Sequence, residues 1–171
     1  MKGKRVAVGL WVMTEVPNVG LAAVLQRRGK VNPETGGPES YPGGYQPTVF
    51  GGVEKNESIP MALNRETREG LGDRFWLALL GGTALYLIKE VYRSESDERL
   101  DFHHAVKVPP EFLKYIPSSD RFKCLRRDEI DSIQDLTKFD RREGVANAKI
   151  IAMFPDCIEA LKKTFELFSR T

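Results

Sequence analysis

The stretch that decides the fold reads GGVEKNESIPMALNRETREGLG, from Gly51 to Gly72. It is one helix with a glycine turn ahead of it. Ser58 has a side chain able to accept a backbone N–H at a helix start. Pro60 falls in the first turn, where its missing N–H costs nothing. Ile59, Leu63, Thr67 and Leu71 recur every fourth residue and make one core-facing stripe. Gly70 and Gly72 end the run, so the pattern predicts a helix over 58–71. Its exposed side carries Arg65, Glu66 and Glu69, with Glu57 just before the start and Gly51-Gly52 as the turn.

These residue types in this order point to a metal and a phosphate. Glu66 and Glu69 lie three apart and share a helical face. Hard oxygen ligands suit Mg²⁺, which bridges protein carboxylates and substrate phosphates while keeping some of its waters. Arg65 is four residues before Glu69 and can hold it or reach back to Glu57. The competing reading is a solvated helix face laced with charge pairs, each worth a few tenths of a kcal/mol. The glycine turn and the strand ahead of it favour a site. One helical turn beyond Glu66, position 70 is a glycine where a further carboxylate would complete the face.

Working outward, Arg5 to Val16 is rich in β-branched and aromatic residues and reads as a strand. Its basic start and apolar run imitate a signal peptide, but Gly9 interrupts the run and Thr14-Glu15-Val16-Pro17 follows it. Pro17-Asn18 breaks the strand, and Gly20 to Arg27 forms a second, so the two make a hairpin. Arg28 to Gln46 is loop by composition and long enough to be functional. Thr48 to Val53 is a short extended piece. Phe75 to Leu80 is apolar and fits either helix or strand. Ala84 to Arg93 and Leu100 to Val108 read as an antiparallel pair joined by the turn Ser94 to Arg99. Arg121 to Leu125 reads as one more strand, followed by a helix near Asp128 to Leu136. Asp156 to Phe168 is a closing amphipathic helix, with Lys138 to Gly144 as a long loop before it. The order predicts a mixed β-sheet flanked by helices, of the α+β or α/β sandwich class, in a single domain over 1–171.

The bulk numbers agree with one globular domain. A chain of 171 residues can bury a core. A net charge of +2 is too balanced to imply a nucleic-acid or membrane partner. No window approaches the ~20 apolar residues of a membrane span. Cys124 and Cys157 form no C-x-x-C and no metal-ligand pair in sequence, and read as reduced thiols of a cytoplasmic protein. His103 and His104 are neighbours on a strand, so they point to opposite faces, one partly buried and one exposed. Tyr41 and Tyr45 have the rings to stack on a base, with ordinary loop packing the favoured reading, and Arg126-Arg127-Asp128-Glu129 reads as a helix start. The glycines from Gly43 to Gly52 make no Walker-type phosphate loop, because no Gly-Lys-Ser/Thr follows.

The spacing Gly51-x5-Glu57-x7-Arg65-Glu66-x-x-Glu69-x-x-Gly72 resembles the Nudix box, Gly-x5-Glu-x7-Arg-Glu-U-x-Glu-Glu-x-Gly-U, where U is a bulky aliphatic. Six of its nine specified positions are met, and Thr67, Gly70 and Asp73 depart from it. At background frequencies of roughly 6–7% per residue, such a match arises by chance on the order of once in a thousand chains. The flanks Val24-Leu25-Gln26-Arg27-Arg28 and Tyr45 to Gly52 are similar to those of the family. The family's glycine doublet usually sits one residue earlier relative to the Glu.

The resemblance implies a Nudix-like α/β/α sandwich and hydrolysis of the pyrophosphate of a nucleoside diphosphate derivative. Carried over by position, it implies Mg²⁺ or Mn²⁺ held by Glu66 and Glu69. Glu57 and Arg65 become organisers, and Gly51 or Gly52 lends backbone. Arg27 and Arg28 read equally as a contact to substrate phosphate and as a solvated strand end. Gly70 removes one family ligand. Glu54, Asp73, Asp128 and Glu129 are the candidates to replace it, and without a replacement the box implies a non-catalytic module binding a nucleotide or a protein. The oligomeric state, a homodimer included, is open.

Overall fold

The structure is a computed structural model that describes residues 3–33, 35–81, 88–117 and 120–169. The first strand, β1 (Arg5–Val16), is its axis. One edge of β1 pairs in parallel with β6 (Arg99–Val108) from Arg5 to Thr14. The other edge is shared. Ala7 to Leu10 pair antiparallel with β4 (Val49–Gly52), and Val12 to Val16 with β2 (Gly20–Arg27). The β1–β2 hairpin turns through Asn18 and Gly20, both in the left-handed region (φ 62° and 94°). β2 in turn pairs with β3 (Tyr45–Gln46) and β7 (Phe122–Arg126). β5 (Lys89–Glu95) closes the sheet antiparallel to β6, with an irregularity between Glu90 and Tyr92.

Strand alternation sends β1 side chains to two separate cores. Val8, Leu10 and Val12 pack under α1 (Ile59–Leu71) and α2 (Asp73–Gly81), with Leu63, Leu71, Phe75 and Leu79. Trp11 and Met13 pack on the opposite face under α3 (Pro155–Ser169), with Cys157, Leu161 and Phe165. Each buried Leu, Val or Phe side chain stabilises the fold by about 1.5–3 kcal/mol. The result is a mixed sheet between two helical layers, the α/β/α sandwich expected from the sequence. Among the described residues no helix is long and apolar enough to cross a membrane.

Several elements differ from expectation. The ambiguous run Phe75 to Leu80 lies in helix α2, with Phe75 and Leu79 buried one turn apart. The expected strand from Ala84 lies partly outside the described residues; its described part, β5, continues to Glu95 into the expected turn. The helix expected near Asp128 to Leu136 is two 3₁₀ turns, Arg127–Ser132 and Leu136–Lys138. Ile133 between them is extended. The backbone there is drawn into a parallel pairing of β8 (Gln134–Asp135) with β9 (Ala152–Met153). Tyr45 is buried in the α3-side core, and Tyr41 meets Phe154 edge-on at 5.4 Å.

Where β1 exchanges β4 for β2, two backbone groups need partners that no strand supplies. Buried Thr48 supplies both. Its Oγ1 accepts the Val12 N–H at 2.9 Å and donates to the Val24 carbonyl. Thr48→Val keeps the shape and removes both bonds. It is expected to lower unfolding free energy by about 2–4 kcal/mol, from two buried groups left unsatisfied. Thr48→Ser retains the hydroxyl and loses less. Urea denaturation of the three proteins checks this.

Candidate functional site

Helix α1 begins at the Ser58 cap, whose hydroxyl accepts the Met61 N–H at 3.4 Å. The helix lies across β4 so that Glu66 stands over Gly51. The stripe Leu63, Thr67 and Leu71 is buried as expected, with Ile59 half-buried. Thr67, where the family pattern has an aliphatic, is fully buried and donates its hydroxyl to the Leu63 carbonyl at 2.6 Å. The expectation that Glu66 is exposed is corrected: it is only 8% exposed. A Cβ on Gly51 would come within 1.9 Å of the Glu66 Cδ, so only glycine admits this carboxylate.

Arg65 ties the constellation together. Its Nε and Nη2 donate to the two Glu57 oxygens at 3.0 and 2.9 Å, a fork-to-fork pair. Nη2 also donates to the Gly52 carbonyl at 2.7 Å. Nη1 donates to Glu66 at 2.7 Å and to Glu69 at 3.4 Å. Glu54 comes within 3.8 Å. The Arg65 hydrogen bonds, then the Glu54 N–H, hold the Glu57 carboxyl below the usual carboxylate range. Hydrogen bonding to Glu57 likewise pushes the Arg65 guanidinium further into its charged form.

Four carboxylates around one guanidinium leave an anionic cluster beside a cleft of about 520 Å³. Of that cluster Glu57, Arg65 and Glu69 line the cleft, together with Met61, Asn64, Arg68 and Asp73. The donor set fits a hard dication, because Mg²⁺ needs only one or two protein carboxylates when waters and phosphates complete its shell. Glu66 and Glu69 are the residues that could hold it.

The other expected residues lie elsewhere. Arg27 shares the strand parity of Leu25, on the α3 face, away from the helix carrying the box. Its guanidinium donates to the carbonyls of Gly43 and Val145, both at 3.3 Å. Arg28 is bound to Glu39 and to Gln46. Of the candidate replacement ligands, Asp73 is paired with Arg68 at 2.6 Å. Asp128 and Glu129 pair with Arg126 in the turn after β7. Glu54 alone reaches the Arg65 cluster. Gly70 is half-buried, and a Cβ there would meet only Val49, at 3.7 and 3.9 Å.

A second cluster was not legible in the sequence. His103 on β6, with Asp156 and Cys157 in the first turn of α3, bring one ligand atom each within 4.8 Å of one another, so they can coordinate a metal ion. Burial pushes the His103 imidazole down to about 4 and the Cys157 thiol well up. His104 points to the other face, half-buried rather than exposed. More than 50 residues separate His103 from the other two, which is why spacing carried no signal.

No family model matches the chain, and no curated protein matches it. Solved structures do. A mutT/nudix family protein from Listeria innocua superposes with a TM-score of 0.63 at 17% identity, covering 99% of this chain and 97% of that one. The fold is that of the Nudix domain. The C-terminal domain of mouse MUTYH, solved with human PCNA, gives a TM-score of 0.60 at 10% identity, over 99% of this chain and 92% of that one. The NUDIX domain of Shewanella oneidensis NrtR, solved with ADP ribose, gives 0.58 at 12% identity, over 98% and 90%. In this Nudix fold the box helix α1 lies on one face of the sheet and the His103 cluster on the other.

Two outcomes check this geometry. Gly51→Ala forces the Glu66 carboxylate off the strand and is expected to cost about 1–3 kcal/mol in urea denaturation, as overpacking does. The second concerns pH. Glu57 has a lower pKa folded than unfolded, so its pairing stabilises the fold above the ordinary carboxylate range. That contribution is lost as pH falls through the folded value. The melting-temperature gap between wild type and Glu57→Gln is expected at pH 7 and to shrink by pH 3.

Proposed function

We propose that the chain is a Nudix-type hydrolase that cleaves the pyrophosphate of a nucleoside diphosphate derivative with Mg²⁺ or Mn²⁺. One observation carries this reading: the preorganised set of Gly51, Glu57, Arg65 and Glu66, in which a missing Cβ admits the Glu66 carboxylate and five directed hydrogen bonds of Arg65 gather Glu57, Glu66, Glu69 and the Gly52 carbonyl beside a cleft that Glu57 and Glu69 line. A solvated helix face has no use for so fixed an arrangement.

Glu66 and Glu69 would hold the cation. When bound, it supplies Lewis-acid chemistry, polarising a phosphoryl oxygen and lowering the pKa of an attacking water. Arg65 keeps Glu66 oriented against Gly51, and Glu57 keeps Arg65 in place. Arg68, exposed at the cleft, offers a guanidinium to substrate phosphate. The C. elegans Ap4A hydrolase, with a TM-score of 0.54 at 16% identity over 98% of this chain and 99% of that one, supports the substrate class by analogy only.

Phosphate or nucleotide release from a panel of nucleoside diphosphate derivatives with Mg²⁺ or Mn²⁺ tests this. Glu69→Gln is expected to abolish turnover. Gly70→Glu adds a carboxylate one turn from Glu66 at a position with room for it, and is expected to raise kcat/KM at least about tenfold. No turnover above background by folded protein sinks the reading.

Gly70 also favours a second reading, a non-catalytic Nudix-fold module for a nucleotide or a protein. Arg65 already engages both remaining box carboxylates, Glu66 and Glu69. The neighbours solved with ADP ribose and with PCNA support it by analogy. Calorimetric titration separates the two. Nucleotide binding that needs no metal, without turnover, favours the module, and strictly metal-linked binding favours the hydrolase.

A further inference from the structure

On the sheet face opposite the box, the His103 imidazole is fully buried and neither ring nitrogen has a hydrogen-bond partner. Buried polar atoms are nearly always paired, and a bound ion is one ordinary explanation for an exception. The ring has little freedom to turn elsewhere. Trp11 stacks on it at 6.2 Å, and Phe50 and Tyr92 flank it at 6.0 and 5.9 Å. A Cβ on Gly9 would touch Nδ1 at 3.4 Å and Phe50 at 2.9 Å, so the glycine makes the seat for both rings. Nε2 is 4.0 Å from Asp156 Oδ2, and Ser94 donates to that same oxygen at 3.3 Å. Cys157, next in the chain, is 3% exposed.

We propose that His103, Asp156 and Cys157 form a three-ligand site for Zn²⁺ or a cation of the same borderline-soft class, which clasps the first turn of α3 to β6. Nitrogen, sulfur and carboxylate oxygen are the three ligand types of zinc, at about 2.0–2.3 Å each, with water completing the tetrahedron. Ligand atoms now within 4.8 Å of one another contract by roughly an ångström to meet that geometry. A thiolate ligand discriminates against Mg²⁺ and Ca²⁺, so this site does not compete for the cation of the box. The dication is balanced by one thiolate and one carboxylate, which keeps net charge out of the interior. On binding, the Cys157 thiol proton leaves to solvent and its sulfur lone pair forms the metal bond; no redox change is involved.

The test is a Co²⁺ titration of chelator-treated full-length protein, because cobalt in place of zinc reports thiolate ligation as a charge-transfer band and tetrahedral geometry as d–d bands. The expected result is a thiolate band saturating at one equivalent, displaced by Zn²⁺ and not by Mg²⁺. It is retained in Glu69→Gln and lost in Cys157→Ser. Asp156→Asn, at a partly exposed position, is expected to weaken Co²⁺ binding at least tenfold in protein whose circular dichroism matches wild type. Folded wild type without a thiolate band overturns the proposal. A band that survives Cys157→Ser, or Asp156→Asn with unchanged affinity, also overturns it.

Discussion

Strand β1 has two hydrogen-bonding edges, and how it shares them governs the rest of the molecule. One edge is committed to β6 from Arg5 to Thr14. The other must serve β4 and then β2, with Thr48 covering the exchange. β4 enters the sheet at this fork with Val49 beside Leu10, and its far end brings Gly51 beside Val8, on the face where α1 packs. The same strand carries Gly9 and Trp11 to the opposite face, where they seat His103. Both candidate sites descend from one backbone constraint read on two sides of a pleated strand.

On the α1 side, the packing accommodates all three residues that depart from the spacing read in the sequence. Thr67 replaces an aliphatic residue, yet it is buried and its hydroxyl is satisfied within the helix. Asp73 replaces another and starts α2, where an acidic side chain suits the helix N-terminus. Gly70 sits where nothing presses on it beyond Val49. None of the three departures disturbs the Arg65 hub, which holds Glu57, Glu66 and the Gly52 carbonyl together. The scaffold around Arg65 is therefore independent of what occupies positions 67, 70 and 73.

The two clusters differ in the cation they suit because they differ in donor atoms and in water access. The box offers carboxylate oxygens beside an open cleft, which suits a strongly hydrated ion that keeps waters. The His103 cluster offers a nitrogen, a sulfur and an oxygen under α3, which suits a less hydrated ion with directed bonds. The intervening sheet keeps the two apart.

The sequence by itself determined the helix Ile59–Leu71, its Ser58 cap, the β1–β2 hairpin, the closing helix and the sandwich class. Those depend on periodicity, caps and turn residues, which are local properties of the chain. It also placed Arg65, Glu66 and Glu69 together on one turn of that helix, because their spacing is local. Tertiary structure decided the rest. Glu66 is buried because β4 has no side chain at Gly51, a fact about a neighbour and not about the helix. Arg27 leaves the site because pleat parity assigns it to the α3 face. The 3₁₀ turns around Ile133 replace a helix because β9, drawn from residues far along the chain, claims that backbone. His103 meets Cys157 only through packing of α3 on β6, since contacts between distant segments leave no mark in local spacing.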